Sequence, residues 1–112
     1  MRKSALKSTA LLIAAVLVIM AFTPQMELSA KRQGELLYIL EQDCGSCHGL
    51  TMKGGLGPAL TLEHMQDRAL DDLTRVILDG VPGTPMPPWR PLLSEQEALF
   101  MAQVIKSGDK VK

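Results

Sequence analysis

The sequence has little of several features that mark common protein classes. Its 112 residues hold 12 Lys and Arg against 12 Asp and Glu, without the basic excess of a nucleic-acid-binding protein. Two cysteines, three positions apart, are too few and too close for a disulfide framework. No segment alternates apolar and polar residues for long enough to form a strand. The sequence therefore predicts an all-α protein with no nucleic-acid partner.

Aromatic residues are also scarce. The chain is short enough for one domain at most. A core of this size with so few large rings is marginal unless a metal, a cofactor or a disulfide holds it together. The sequence therefore predicts such a group before any motif is considered. The four aromatic residues are Phe22, Tyr38, Trp89 and Phe100.

The N-terminal segment has the composition of an export signal. Three basic residues in the first seven positions precede an apolar run of 13 residues, 10–22. A membrane-spanning helix needs about 20, so the run indicates a secretory signal peptide over residues 1–30 rather than a full span. Small residues at Ala21 and Ala30 mark two positions for cleavage. The alternative is a retained N-terminal anchor, and in both cases the functional domain is predicted at 31–112.

Apolar periodicity predicts three main helices. The first covers 31–43 and the second 70–79, where apolar residues recur on one face. The third starts after Ser94, with Glu97 three residues later as a capping box. The stretches rich in Gly or Pro are predicted to be loops, namely 49–60 and 81–93.

Cys44, Cys47 and His48 form the pattern C-x-x-C-H, the attachment signature of c-type haem. On a helical turn these three residues lie on one face, at i, i+3 and i+4. Two thiols can then add to the two haem vinyl groups while the imidazole reaches the iron from the same side. The sequence therefore predicts one haem c, covalently attached through Cys44 and Cys47, with His48 as an iron ligand.

Three other interpretations use the same residues. A thioredoxin-like redox site also has C-x-x-C, but it requires a βαβ context. A zinc site would recruit Cys44, Cys47, His48 and His64, although adjacent Cys and His residues fit one tetrahedral ion poorly. A disulfide between the two cysteines would close a very small loop and contribute little stability.

Met86 is the candidate for the second axial ligand. It lies in a loop in which prolines at 85, 87 and 88 restrict the chain before ligation, so less entropy is lost when the sulfur binds iron. A thioether ligand also raises the reduction potential of the iron. Met86 has a plain structural alternative as a loop residue covering the core. The other residues that could supply this ligand are Met52, Met65, Met101 and His64.

Further residues are candidates for supporting roles. An iron-ligating histidine usually donates its free ring N–H to a carbonyl, and Pro58, ten residues after His48, is placed to offer one. Trp89 could donate its indole N–H to a haem propionate, or cover the haem edge. Arg75 and Arg90 are further candidates for the propionates.

Taken together, these motifs resemble a class I monohaem cytochrome c over residues 32–107. Gly34 and Tyr38 match the family's N-terminal helix, which packs across its C-terminal helix, and 80–89 (GVPGTPMPPW) matches the methionine loop of small bacterial members. The last helix of the family usually carries Tyr or Trp near position 104, where this chain has Val, with Phe100 as the nearby aromatic. The strings LEQDCGSCHGLTMKGGLGPALT and ILDGVPGTPMPPWRPLLSE particularly resemble the small NirC-type cytochromes of denitrification gene clusters.

The resemblance implies a function and a partner. It implies a monomeric periplasmic one-electron carrier, not an enzyme, that donates electrons to a cytochrome cd nitrite reductase. The alternative is an accessory protein in the maturation of the haem of that enzyme, and a weak peroxidase is a third. A partner would dock at an exposed haem edge with an apolar rim of Leu50, Met52 and Leu56, beside Lys53. Residues 31–112 carry nine basic and eleven acidic side chains, so long-range electrostatic steering is expected to be modest.

Overall fold

The computed structural model describes residues 27–108, and within this range the chain is helical with no strand. The predicted all-α class is confirmed. The basic residues of the first seven positions, the apolar run 10–22 and Ala21 lie outside the described residues, whereas Ala30 is the first residue of α1. The elements in chain order are α1 (Ala30–Ile39), a π-helical segment (Leu40–Cys44), α2 (Gly45–His48), α3 (Leu62–Met65), α4 (Leu70–Asp79) and α5 (Glu95–Ser107).

The first helix is continuous with the turn that carries the two cysteines. Helix α1 starts one residue after Ser29, whose side chain accepts a hydrogen bond from the Arg32 backbone N–H at 3.2 Å. The chain then widens into the π-helical segment and passes directly into α2. The helix predicted to end at residue 43 therefore runs on, with changed geometry, to His48. Such π-helical turns occur mostly inside helices and often at functional sites.

The buried face of α1 differs from the prediction. Gly34 and Tyr38 were expected at the crossing with the last helix, but both are exposed, Tyr38 by 65%. Leu36 and Leu40 are buried instead, with 0% and 1% of their surface exposed. Two residues rotate an α-helix by roughly 200°, which carries Gly34 and Tyr38 to the opposite side. The prediction placed the crossing two residues too early, because Leu36 and Leu40 are also spaced by four and are the pair that packs into the core.

Helix α5 is the centre of the packing and contacts α1, α3 and α4. It starts with the predicted capping box, in which Glu97 accepts from the Ser94 backbone N–H at 2.7 Å. The same carboxylate accepts from the Arg32 side chain at 2.5 Å, which joins α1 to the start of α5. This guanidinium is the main reason that the pKa of Glu97 is lowered.

The core consists of apolar residues from every helical element except α2, and of one loop residue, Leu93. Helix α4 has the bounds predicted from its periodicity and buries Leu73, Ile77 and Leu78. Phe100 and Val104 are partly buried against the same cluster. None of the buried residues in 27–108 is polar or charged. The buried apolar residues are Leu36, Leu40, Met65, Leu73, Ile77, Leu78, Leu93, Ala98, Met101, Ala102 and Ile105.

The segments 49–60 and 81–93 contain no helix, as predicted. The segment 81–93 runs back along α4. There the backbone N–H of Trp89 donates to the Ile77 carbonyl at 3.1 Å, and the backbone N–H of Arg90 donates to the Leu78 carbonyl at 3.0 Å. No helix in residues 27–108 has the length and apolar character that crossing a bilayer requires.

Candidate haem site

The two cysteines lie on the helical turn that ends the first long helical segment. Cys44 is the last residue of the π-helical segment, and Cys47 lies one turn later in α2. Both are partly buried free thiols, so the disulfide alternative is not seen. Ser46, between them, is exposed, and its hydroxyl donates to the Asp43 carbonyl at 2.6 Å, which fixes the turn from the solvent side.

The thiol of Cys44 is unlike the nucleophile of a dithiol redox protein. Burial raises the pKa of Cys44 to about 11, with a further rise from the carboxylate of Asp43. Reactive thiols of the C-x-x-C type require a lowered pKa, since the thiolate is the nucleophile. The thioredoxin-like alternative therefore lacks both its strands, within residues 27–108, and its electrostatics.

His48 is held firmly by the loop that follows it. Its Nδ1 donates to the Pro58 carbonyl over 2.7 Å, the partner that the sequence suggested. The Gly57 backbone N–H donates to the Cys47 carbonyl at 2.8 Å, and this bond keeps the loop against the turn. With Nδ1 used as a donor, Nε2 has the free lone pair of the neutral ring and is the nitrogen available to a metal.

Gly57 leaves just enough room for this imidazole. A Cβ added at Gly57 would lie 2.8 Å from both Cε1 and Nδ1 of His48. Real Cβ atoms do not approach a ring so closely, so a glycine is needed at this position. The turn thus offers two free thiols, one oriented imidazole and a close-fitting wall behind it. This donor set fits a covalently attached haem c.

The loop that carries Met86 is folded tightly on itself and on α4. The Val81 N–H donates to the Met86 carbonyl at 3.2 Å, which closes a ring of six residues. Gly80, at the end of α4, has a φ of 66°, and a Cβ there would lie 2.7 Å from the Met86 carbonyl oxygen. The backbone at Met86 is therefore clamped against the end of α4, while its side chain remains partly exposed.

The other methionines have different surroundings. Met65 and Met101 are core residues, with 7% and 1% of their surface exposed, and Met52 packs partly buried against the same cluster. His64 is exposed, and its Nδ1 lies 2.8 Å from the Thr61 hydroxyl. Packing thus accounts for the two core methionines.

No three His, Cys, Asp or Glu side chains within 27–108 converge on a common point, so the zinc alternative has no ligand set there.

The arginines suggested for the propionates lie elsewhere. Arg90 is paired with Asp79 at 2.6 Å and with Glu95 at 3.6 Å. Arg75 and Arg90 both line a cavity of about 1010 Å³ between α4, α5 and the segment before α1, which contains neither His48 nor Met86. Trp89 is partly buried against the core. The structure thus does not bring Arg75 or Arg90 to the site.

Thr84 and Gly80 both contact the backbone of the methionine loop, and neither contact was predicted from the sequence. One feature of the sequence could have pointed to Thr84. It carries a hydroxyl in a loop whose prolines lack backbone N–H donors. Gly80 was identified only as the end of α4, because its close contact with 86–88 depends on the path of the loop in three dimensions.

The helical frame and the C-x-x-C-H turn define a c-type cytochrome, and comparison with known proteins agrees. Residues 29–103 match the family model described as "Cytochrome C oxidase, cbb3-type, subunit III". The chain belongs to this family of c-type cytochrome domains. It is accordingly an electron-transfer protein with covalently bound haem c, and not an enzyme.

Within the c-type cytochromes, the chain is similar to several individual proteins. The chain is 54% identical over 76 residues to cytochrome c55X of Paracoccus denitrificans, covering 68% of this chain and 74% of the relative. It is 49% identical over 80 residues to cytochrome c55X of Pseudomonas aeruginosa, covering 71% and 67%. A solved structure, the c-type cytochrome NirC, matches with a TM-score of 0.72 and 46% identity over 73% of this chain and 96% of that one. The predicted resemblance to NirC-type cytochromes is confirmed.

Proposed function

We propose that this cytochrome is a periplasmic one-electron carrier with His48 and Met86 as axial ligands, and that it donates electrons to a cytochrome cd nitrite reductase. The haem, when bound, supplies the iron that alternates between its ferric and ferrous states. The protein holds the ligands and offers a docking surface.

The observation that carries the ligand assignment is that the fold holds both candidates through contacts of its own. The ring of His48 is oriented by the Pro58 carbonyl and backed by Gly57. The backbone of Met86 is held by Val81 and by its close approach to Gly80. Ligands that the protein itself holds in place need little rearrangement when the iron changes charge, so the cost of that change is kept low.

The partner surface follows from the exposed apolar residues next to the attachment turn. Leu50 and Leu56 are 67% and 77% exposed, and Lys53 lies exposed between them in sequence. Met52, expected in the same rim, instead packs partly against the core. Small interfaces of this kind suit a carrier, which must leave its partner after each transfer.

The similarity to cytochrome c55X and to NirC supports the choice of the nitrite reductase as the partner.

Stopped-flow reduction of the nitrite reductase tests this proposal. Leu56→Gln and Lys53→Gln are matched variants, because each puts the same neutral polar side chain in the same loop. We expect Leu56→Gln to slow the electron transfer several-fold more than Lys53→Gln, and added salt to change the rate only mildly.

Two results would contradict this account. A steep salt dependence with Lys53→Gln as the slower variant would show that charge governs the encounter. No transfer at any concentration, together with unfinished haem in the reductase of a deletion strain, would favour the role in haem maturation.

A further inference from the structure

The loop that carries Met86 has unusually few backbone donors. Three of its seven residues from 81 to 87 are prolines and have no N–H group. An irregular loop is normally fixed by hydrogen bonds from its own N–H groups, and this loop has at most four of them. Another group must therefore supply part of the hydrogen bonding that fixes the loop.

The side chain of Thr84 supplies it. Its Oγ1 donates to the Val81 carbonyl at 2.7 Å, and the same oxygen accepts from the Met86 backbone N–H at 3.3 Å. The Thr84 backbone N–H also donates to the Val81 carbonyl, at 3.1 Å. The hydroxyl thus lies inside the loop and connects its first residue to its methionine.

Both backbone polar groups of Met86 are consequently fixed within the loop. Its N–H donates to the Thr84 hydroxyl, and its carbonyl accepts from Val81 at 3.2 Å. Pro85 and Pro87 restrict the backbone torsions on either side. Only the side-chain torsions of Met86 remain free to place the sulfur, and the entropy of searching for the iron is reduced accordingly.

We propose that Thr84 is a positioning residue for the axial methionine, holding the loop in the conformation that presents the Met86 sulfur to the iron. The proposal rests on the proposed His48 and Met86 ligation. Thr84 acts through the loop and does not itself touch the iron. Its hydroxyl, rather than its shape, carries the effect.

Competition with imidazole for the ferric iron measures how firmly Met86 is held. Imidazole takes the position of the sulfur. Its apparent affinity therefore rises by the same factor by which a variant weakens the binding of the Met86 sulfur to the iron. The probe is imidazole itself, titrated optically into the ferric holoprotein. The variants are Thr84→Val, which keeps the shape and removes the hydroxyl, and Thr84→Ser, which keeps the hydroxyl. Thr74→Val is the matched control, since the Thr74 hydroxyl also donates to a backbone carbonyl, that of Leu70, but in helix α4.

We expect Thr84→Val to lower the imidazole dissociation constant at least about fivefold, the lower end of what the two lost hydrogen bonds contribute. Thr84→Ser should stay within about twofold of the unaltered protein, and Thr74→Val should not change it. The weak red absorption band of Met–Fe(III) ligation should persist in Thr84→Val without imidazole, because the sulfur is loosened and not removed.

Met86→Ala completes the set and separates two kinds of failure. If it binds imidazole far more tightly while Thr84→Val matches the unaltered protein, the role of Thr84 is refuted and the ligation stands. If Met86→Ala binds imidazole no more tightly than the unaltered protein, the ligation itself is refuted, and the role of Thr84 with it. An equal gain in Thr84→Val and Thr74→Val would indicate general loosening and would also overturn the proposal.

Discussion

Gly57 shows how a single residue without a side chain determines the orientation of an iron ligand. The His48 ring is fixed between the Pro58 carbonyl in front and the Gly57 backbone behind. Pro58 was predictable, because the separation of ten residues and the intervening glycine are visible in the sequence. The sequence also suggested that Gly57 lets the chain approach His48, but which ring atoms the backbone meets depends on how the loop closes over the ring.

Replacement of Gly57 by Ala is expected to be costly for this reason. The new methyl would lie 2.8 Å from ring atoms of His48 and would force the ring or the loop to move. Overpacking of this kind lowers the free energy of unfolding by about 1–3 kcal/mol. Gly34→Ala is the matched control, because a Cβ at Gly34 meets nothing within 4 Å on an exposed helical face. We expect it to raise the free energy of unfolding by up to about 1 kcal/mol.

Denaturant unfolding of the two holoproteins measures both effects. An unchanged stability in Gly57→Ala would show that the loop has room to adjust and that the glycine is not required.

Among the helices, the bounds and caps that depend on nearby residues agree with the prediction, whereas the buried face of α1, which depends on packing against other elements, does not. The bounds of α4 and the capping box of α5 follow from residues within one or two turns, so the sequence was sufficient. The buried face of α1 was misplaced, because Gly34–Tyr38 and Leu36–Leu40 are both spaced by four. Only the packing against α5 decides between two such pairs.

The start of α1 bears on where an export signal would be removed. Ser29 caps the helix. The Leu28 carbonyl accepts a hydrogen bond from the Gln33 side chain at 2.9 Å, and the side chain of Leu28 packs against the core. Cleavage after Ala30 would remove both residues. We therefore expect processing, if it occurs, to fall before Leu28, with Ala21 as the small residue available.

Two measurements check this expectation. The mass of the exported holoprotein should correspond to a chain that still contains Leu28 and Ser29. A holoprotein that starts at Lys31 should be at least about 1 kcal/mol less stable than one that starts at Glu27, as expected from the lost cap. An exported chain that begins at Lys31 with full stability would contradict the argument.

The whole molecule combines a small aliphatic core with a covalent prosthetic group. Among residues 27–108 the fully buried large side chains are only Leu36, Leu40 and Met101. Both cysteines lie at the junction of the first helical segment with the loops of the site. The haem and the fold are therefore expected to be coupled, as metal and fold are in small metal-binding domains.

Removal of the haem attachment tests this coupling. Cys44→Ala combined with Cys47→Ala should leave a largely unfolded, protease-sensitive chain. Ser46→Ala lies on the same turn and leaves both thiols, so this control should remain folded. Far-ultraviolet circular dichroism and limited proteolysis distinguish the two, and a cooperative, helical, protease-resistant double variant would show that the core suffices without the haem.

The most direct measurement for the account as a whole is the weak red charge-transfer band of the ferric holoprotein, which reports a methionine sulfur on Fe(III). We expect Met86→Ala to abolish this band and to lower the reduction potential, because the thioether favours ferrous iron. Met52→Ala, the same change in another partly buried methionine, and His64→Ala should leave both unchanged. Survival of the band in Met86→Ala with its loss in Met52→Ala, or absence of the band from the unaltered protein, as a second histidine ligand would give, would show that His48 and Met86 do not together hold the iron.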